Sequence, residues 1–238
     1  MPERVVITGA SRGLGLELAR RHAARGDSVL ATCRDPGSAK ALAALAKRDG
    51  SLRVERLDHA SPATITAAAQ AARTWLGIVD LLWTNAGIYP GSPGTSVEEG
   101  PIGTLRLEDG LEVFATNAVG AILVAQAFLP LLRASRRPRI LALSSGYGSL
   151  ALNRGTPYWY GASKAALNML HRSLAADPDL GEVSVVVVSP GWTKTDMGGR
   201  QAPTPVAECV DGLLHLADRV GPAESGSFLD WRGAVVPW

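Results

Sequence analysis

Tyr160-Gly161-Ala162-Ser163-Lys164 sets a phenol and an ammonium four residues apart, the spacing that puts both on one face of a helix. A phenol ordinarily ionises near a pH of about 10, too high for ready proton exchange at neutrality. An ammonium beside it favours the phenolate and makes the tyrosine a usable acid or base. Tyr158 has Ala162 four residues on, so the candidate is Tyr160. A second signal lies in Thr8-Gly9-Ala10-Ser11-Arg12-Gly13-Leu14-Gly15. Gly9, Gly13 and Gly15 permit a tight turn and close approach of backbone to a pyrophosphate. Where such a turn opens a helix, free N–H groups and the positive end of the dipole face the same anion. The spacing is GxxxGxG, not the commoner GxGxxG.

A scaffold must bring these segments together, and the apolar pattern describes one. Strand-like runs cover Arg4 to Thr8, Ser28 to Cys33, Leu52 to Leu57, Asp80 to Trp83, Arg139 to Leu143 and Val183 to Val188. Helical stretches separate them, at about Gly13 to Arg25, Ser38 to Lys47, Pro62 to Trp75, Leu107 to Arg133 and Tyr158 to Ala176. Near-continuous apolar strands imply burial on both faces, hence a parallel sheet covered by helices. Right-handed crossovers make the sheet doubly wound. No repeat or linker divides the chain, which reads as one domain over residues 1–238, with a Gly/Pro/Ser-rich loop at 87–103 as an active-site rim.

Composition narrows the setting. The 238 residues carry 24 Lys+Arg against 22 Asp+Glu and are 46% hydrophobic, which excludes disorder and gives no basis for binding nucleic acid. Cys33 and Cys209 read as free thiols, and His22, His59, His171 and His215 share no metal-like spacing, so no metal site is expected. The N-terminus has no pattern of a targeting segment. The longest apolar run, Ala118 to Leu132, is interrupted by Gln126 and Pro130 and is shorter than the roughly 20 residues a membrane span needs. The expectation is a cytoplasmic protein that does not engage membranes.

With these segments placed, the chain resembles the short-chain dehydrogenase/reductase family over nearly its whole length. TGASRGLG matches the family's TGxxxGxG turn. Asn85-Ala86-Gly87 matches the end of its NNAG, with Thr84 in place of the first Asn. Asn117 in FATNAVG, Ser145 in SSGYG, Tyr160 and Lys164 in YGASK, and Pro190-Gly191 follow in order. ATCRDP, SKAALNML, PGWTKTDMGG and FLDWRGAVVPW look like the C-factor and sniffer-type carbonyl reductases within it.

The resemblance implies a Rossmann-type sheet of about seven strands in the order 3-2-1-4-5-6-7. It implies that Tyr160 gives a proton to a carbonyl oxygen, that Lys164 also bonds the nicotinamide ribose, and that Ser145 bonds the same substrate oxygen. Ser144 is the adjacent rival; the family's Ser-x-x-Gly pattern favours Ser145. Asn117 would anchor a water behind Lys164. Cofactor contacts are expected from Gly9, Ser11, Arg12, Gly13, Leu14, Gly15, Asn85, Ala86, Gly87, Pro190, Gly191 and Thr193. Asp58 resembles the adenine-side aspartate and Thr195 the threonine that holds the carboxamide.

Cofactor choice turns on the end of the second strand, where NAD enzymes place an acid and NADP enzymes a positive charge. Cys33 occupies the usual acidic position, with Arg34 next and Arg12 in the glycine turn. That favours NADP(H). Asp35 keeps NAD(H) open, because a shifted loop would offer it to the ribose. A lid is expected at 197–205, and Tyr147, Trp159 and Trp192 as aromatic walls. The expected activity is reduction of a small-molecule ketone or aldehyde to an alcohol. The alternative is C-factor-like signalling or nucleotide sensing on the same scaffold. A homodimer or homotetramer is expected from the family's habits.

Overall fold

Seven short strands, most of them largely buried, frame the molecule in the computed structural model, which describes residues 2–238 apart from 94, 154 and 156. They are β1 (Arg4–Ile7), β2 (Ser28–Cys33), β3 (Leu52–Arg56), β4 (Leu81–Thr84), β5 (Arg139–Leu143), β6 (Ser184–Ser189) and β7 (Phe228–Asp230). All pair in parallel, in the order β3-β2-β1-β4-β5-β6-β7. Val5 lies beside Val29 on one side and Leu81 on the other, so the chain reverses its direction of build at β1. In an open α/β sheet the crevice beyond that reversal is where ligands bind.

The helices are α1 (Gly13–Ala24), α2 (Lys40–Arg48), α3 (Pro62–Leu76), α4 (Leu107–Phe114), α5 (Gly120–Leu132), α6 (Tyr158–Ala175) and α7 (Val206–Arg219). One face of the sheet packs Val5, Ile7, Leu81 and Trp83 with Leu18 of α1, Leu42 of α2 and Leu213 of α7. The other packs Val6, Leu30, Leu82 and Ile140 with Ala68 of α3 and Phe128 of α5. Leu167 of α6 joins Ala142 and Val187 on that second face. Alternate strand residues thus serve opposite layers, as the period of two requires.

Two elements differ from the sequence reading. The single helix expected over Leu107 to Arg133 contains a π-turn at Ala115–Val119, where the wider i→i+5 ladder sets Asn117 and Ala118 inward. The continuous helix Leu107–Leu132 is also long and apolar enough to cross a membrane, contrary to the shorter run expected; half of its apolar window is buried inside the protein. Its apolar character is therefore that of a core helix, with Val124, Phe128 and Leu132 against the sheet. Second, α7 and β7 lie in a stretch to which the sequence reading gave no element. Cys209, Val210, Leu213, Leu214, Leu216 and Ala217 recur at helical spacing and are all buried, a signal available in the sequence.

Candidate active site

Backbone crowding explains the glycine turn. A Cβ on Gly9 would stand 2.7 Å from Ala86 Cα, and one on Gly15 would stand 2.4 Å from the Gly9 carbonyl oxygen. The turn therefore packs directly on the segment after β4, where Asn85 Nδ2 donates to the Thr8 carbonyl at 2.8 Å. The first turn of α1 has no side-chain cap and no acidic residue. Its N–H groups are left for an anion, at the end of the helix where the dipole favours one.

These elements bound a cleft of about 250 Å³ at the C-terminal ends of the strands. Of the expected site residues, Gly9, Ser11, Arg12, Gly13, Leu14, Gly15, Arg34, Asp58, Asn85, Ala86, Gly87, Tyr160, Lys164, Pro190 and Thr195 line it. Asn117, Ser145, Gly191 and Thr193 are not among its lining residues. Gly191 serves the backbone instead, at a φ of +66° with Trp231 behind it. Thr193 is buried and donates its hydroxyl to the Pro190 carbonyl at 2.8 Å. Both lie one turn of loop away from the cleft wall that their neighbours form.

At the β2 end, Cys33 lines the cleft and burial pushes its thiol up. Arg34 lies on the exposed rim. The carboxylate of Asp35 is folded back into its own turn, accepting from the Gly37 N–H at 3.0 Å. Hydrogen bonds from Ser38 and Gly37 hold it below the usual carboxylate range. The guanidinium of Arg12 bridges the rim, donating to the Pro93 carbonyl and lying 3.8 Å from Asp196.

At the opposite end of the cleft, α6 presents Tyr160 and Lys164, both buried. Lys164 Nζ donates to the Leu143 carbonyl at 2.9 Å and lies 5.8 Å from the centre of the Tyr160 ring. Desolvation dominates here. Burial pushes Tyr160 up to about 12, against the pull of a hydrogen bond to Ser145, and pushes Lys164 down to about 8. Lys164 contributes no lowering of Tyr160, contrary to the expectation from spacing; the downward pull comes from Ser145. At neutral pH the tyrosine holds its proton, which makes it a donor.

Ser145 and Ser144 take different roles. Ser145 bonds Tyr160 and accepts from the Tyr147 N–H at 3.2 Å. Ser144, unlike Ser145, lines the cleft, but its hydroxyl is 2.5 Å from Asn168 Oδ1, and Asn168 in turn donates to the Gly148 carbonyl at 3.0 Å. Ser144 therefore braces the loop that carries Ser145. Asn117 holds the loop that follows β4. Its side chain accepts from the Ile88 N–H at 2.8 Å and donates to the Ile88 carbonyl at 2.9 Å and to Ser163 Oγ at 3.0 Å. It clamps the entry to the 87–103 loop. That loop returns the favour at Glu99, whose carboxylate accepts the N–H groups of Tyr158 and, at 2.9 Å, Trp159. Glu99 is thus the cap of α6, which no residue of its own supplies.

Of the expected aromatic walls, Tyr147 stands edge-on to Tyr160 at 6.2 Å. Trp159 points away, its ring against Gly110 of α4, and its buried indole nitrogen has no partner among the described residues. Trp192 is exposed and donates to the Gly198 carbonyl at 2.7 Å, closing the base of the 197–205 segment. Sequence reasoning missed Tyr89, edge-on to Tyr160 at 4.8 Å. It also missed His59 and Thr116, both on the cleft wall. The sequence signal for His59 was its place directly after Asp58 at a strand end. No cluster of metal-ligating side chains occurs among the described residues.

The comparisons with known proteins agree with this geometry. The family model for short chain dehydrogenase matches residues 3–205. C-signal of Myxococcus xanthus is 39% identical over 171 residues, spanning 71% of this chain and 99% of its own. The crystal structure of NADPH-bound carbonyl reductase from chicken fatty liver superposes with a TM-score of 0.90 at 34% identity, covering 100% of this chain and 99% of that one. Carbonyl reductase Sniffer of D. melanogaster gives 0.90 at 30% identity, covering 100% of both chains.

Proposed function

The chain belongs to the short-chain dehydrogenase family, and from that we propose that it is an NADPH-dependent carbonyl reductase acting on a ketone or aldehyde. The observation that carries this reading is the buried Tyr160 side chain, with Lys164 Nζ 5.8 Å from its ring, at the end of a cleft shaped for a dinucleotide. The crowded Gly9 and Gly15, together with the uncapped start of α1, fit a pyrophosphate. Arg34 on the rim, with the Asp35 carboxylate turned into its own loop, favours a 2′-phosphate over a bare ribose. The solved relatives from chicken and Burkholderia multivorans were bound to NADPH and NADP respectively, which supports the same choice.

When bound, the nicotinamide supplies the hydride. Gly87 leaves room between Asn117 Oδ1 and Lys164 Nζ, where a Cβ would meet them at 3.2 and 3.4 Å. Ser145 donates to the substrate oxygen and stabilises the charge that develops there. Tyr160 completes the reaction by passing its phenolic proton to that oxygen. Lys164, whose value of about 8 leaves it mostly protonated near neutrality, favours the phenolate that remains.

The test is fluorescence titration with NADPH and with NADH, exciting the six tryptophans, followed by a panel of ketones and aldehydes. NADPH binding at least tenfold tighter than NADH, with turnover of a carbonyl, is the expected result. Binding of neither nucleotide overturns the reading. The likeness to C-signal supports a second reading, signalling on this scaffold. It predicts a biological response that survives Tyr160→Phe, whereas a role through catalysis predicts its loss.

A further inference from the structure

His59 is buried where the chain leaving β3 meets the π-turn, and the proposed chemistry makes no use of it. Both ring nitrogens are engaged. Nδ1 lies 3.0 Å from the Thr116 carbonyl oxygen and Nε2 lies 3.1 Å from Thr8 Oγ1. A carbonyl only accepts, so Nδ1 carries the ring proton and Nε2 of the neutral imidazole accepts. Burial keeps the ring neutral by pushing its pKa down to about 4. The Thr8 hydroxyl therefore donates to Nε2, and its oxygen receives the N–H groups of Asn85 at 3.0 Å and Ala86 at 3.1 Å. The competing acceptor for that hydroxyl, the Trp83 carbonyl, is farther away at 3.4 Å.

We propose that His59 is a positioning residue that locks the cofactor-binding turn to the π-turn, acting on cofactor affinity through Thr8, Asn85 and Ala86 and on turnover through Thr116 and Asn117. The activity half of this inference rests on the reductase reading. The backbone leaves the ring no retreat, because a Cβ on Gly120 would stand 2.4 Å from His59 Cβ. The start of α5 thus presses on His59 from behind while its ring spans the gap between two walls of the cleft. Loss of the imidazole would strand a hydroxyl donor and a carbonyl acceptor in a dry site.

Two single-sided variants separate the halves. His59→Asn keeps a donor near the Nδ1 position and gives up the link to Thr8. His59→Gln keeps an acceptor near the Nε2 position and gives up the link to Thr116. The Asn variant is expected to bind NADPH about tenfold more weakly with kcat little changed, the loss that one buried hydrogen bond accounts for. The Gln variant is expected to lose kcat by about tenfold with NADPH affinity retained. Equal losses in both parameters for both variants would overturn the inference, because a merely structural residue produces no such split. A third readout needs neither variant: nitrogen-15 spectra of the wild-type imidazoles should show His59 protonated at Nδ1 alone. A proton at Nε2 would overturn the hydrogen-bond chain and leave the reductase reading standing. Failure of the wild type to bind NADPH would overturn the reductase reading and leave the chain standing.

Discussion

At the foot of the sheet Arg4 meets Asp80 at 2.8 Å, the fully buried Arg139 meets Glu3, and His22 meets Asp27 at 2.7 Å. At its head, Lys164 is almost as deeply buried yet among the described residues has no carboxylate partner, donating instead to the Leu143 carbonyl, and His59 and Tyr160 are desolvated beside it. The foot meets the Arg4 and Arg139 guanidiniums with carboxylates, His22 hydrogen-bonds Asp27 while its other nitrogen accepts from the Trp83 indole, and further hydrogen bonds complete the sets. Ser135 donates to Asp80 at 2.6 Å, and Arg139 donates to the Ala217 carbonyl at 2.6 Å. The head leaves its groups poised, with proton affinities moved by burial and not restored by partners. Groups at the foot hold the strands in place; groups at the head are given proton affinities that water would not give them.

That contrast breaks most sharply at Tyr160. Tyr160→Phe removes the only proton the head is arranged to deliver, and kcat should fall about 10³-fold. NADPH affinity should stay within about twofold, since the phenolic oxygen sits beyond the anion-binding end of the cleft. Carbonyl-dependent NADPH oxidation and the fluorescence titration read the two quantities separately. Retained turnover would remove Tyr160 from the mechanism.

Acid should attack the head before the foot. His59 and His171 are both held near 4 by burial, below their unfolded value of 6.5. Their contribution is therefore fully present above pH 6.5 and is lost as pH falls from 6.5 towards 4, because the unfolded chain binds the protons more readily. At a pH of about 5 the loss is on the order of 2 kcal/mol for each histidine. Asp80 shifts in the same direction but at lower pH: burial opposes its ionisation, but bonds from Arg4 and Ser135 keep it below the ordinary carboxylate range. Its contribution persists until pH falls below that range. Urea unfolding at pH 7 and pH 5 should show the loss, and hydrogen exchange at pH 5 should open α5 and the π-turn while β1 and β4 stay protected.

Glu3→Gln probes the foot alone. It leaves the Arg139 guanidinium buried without its carboxylate, a change worth about 3 kcal/mol of stability by urea unfolding. Turnover at 25 °C should be unchanged, because no cleft residue touches Glu3. A fall in kcat would show that the two ends are coupled. The smallest effect is expected at the exposed rim, where Arg34→Ala should weaken NADPH by about tenfold and NADH hardly at all. Equal losses for both nucleotides would exclude a 2′-phosphate contact.

Much of this was legible in the sequence, for reasons that also explain what was not. Six strands read correctly to within a residue or so because β-branched runs such as Ser184–Ser189 are buried on both faces. The glycine turn and the Tyr160–Lys164 pair are local patterns, and local patterns survive without coordinates. The π-turn does not, since one widened turn barely disturbs the apolar period of a helix that is apolar nearly all round. His59 was invisible because its partners stand 51 and 57 residues away, one of them a backbone carbonyl that any residue type would supply. Spacing also gave the proximity of Lys164 to Tyr160 without the dryness that governs both. Asp35 looked available to a ribose only until its own turn was seen to use it.

The clamps on the 87–103 loop carry a consequence for how such a protein changes over generations. Asn117 grips the loop at Ile88 through backbone atoms, and Glu99 grips the start of α6 through the same kind of atoms. Neither anchor depends on which side chains lie between them. With Tyr89 held edge-on to Tyr160 and Val97 buried, the exposed positions between those anchors are open to change by mutation while the proton-handling residues keep their places. A lineage built this way can acquire new substrates by editing one insert, without re-solving the fold.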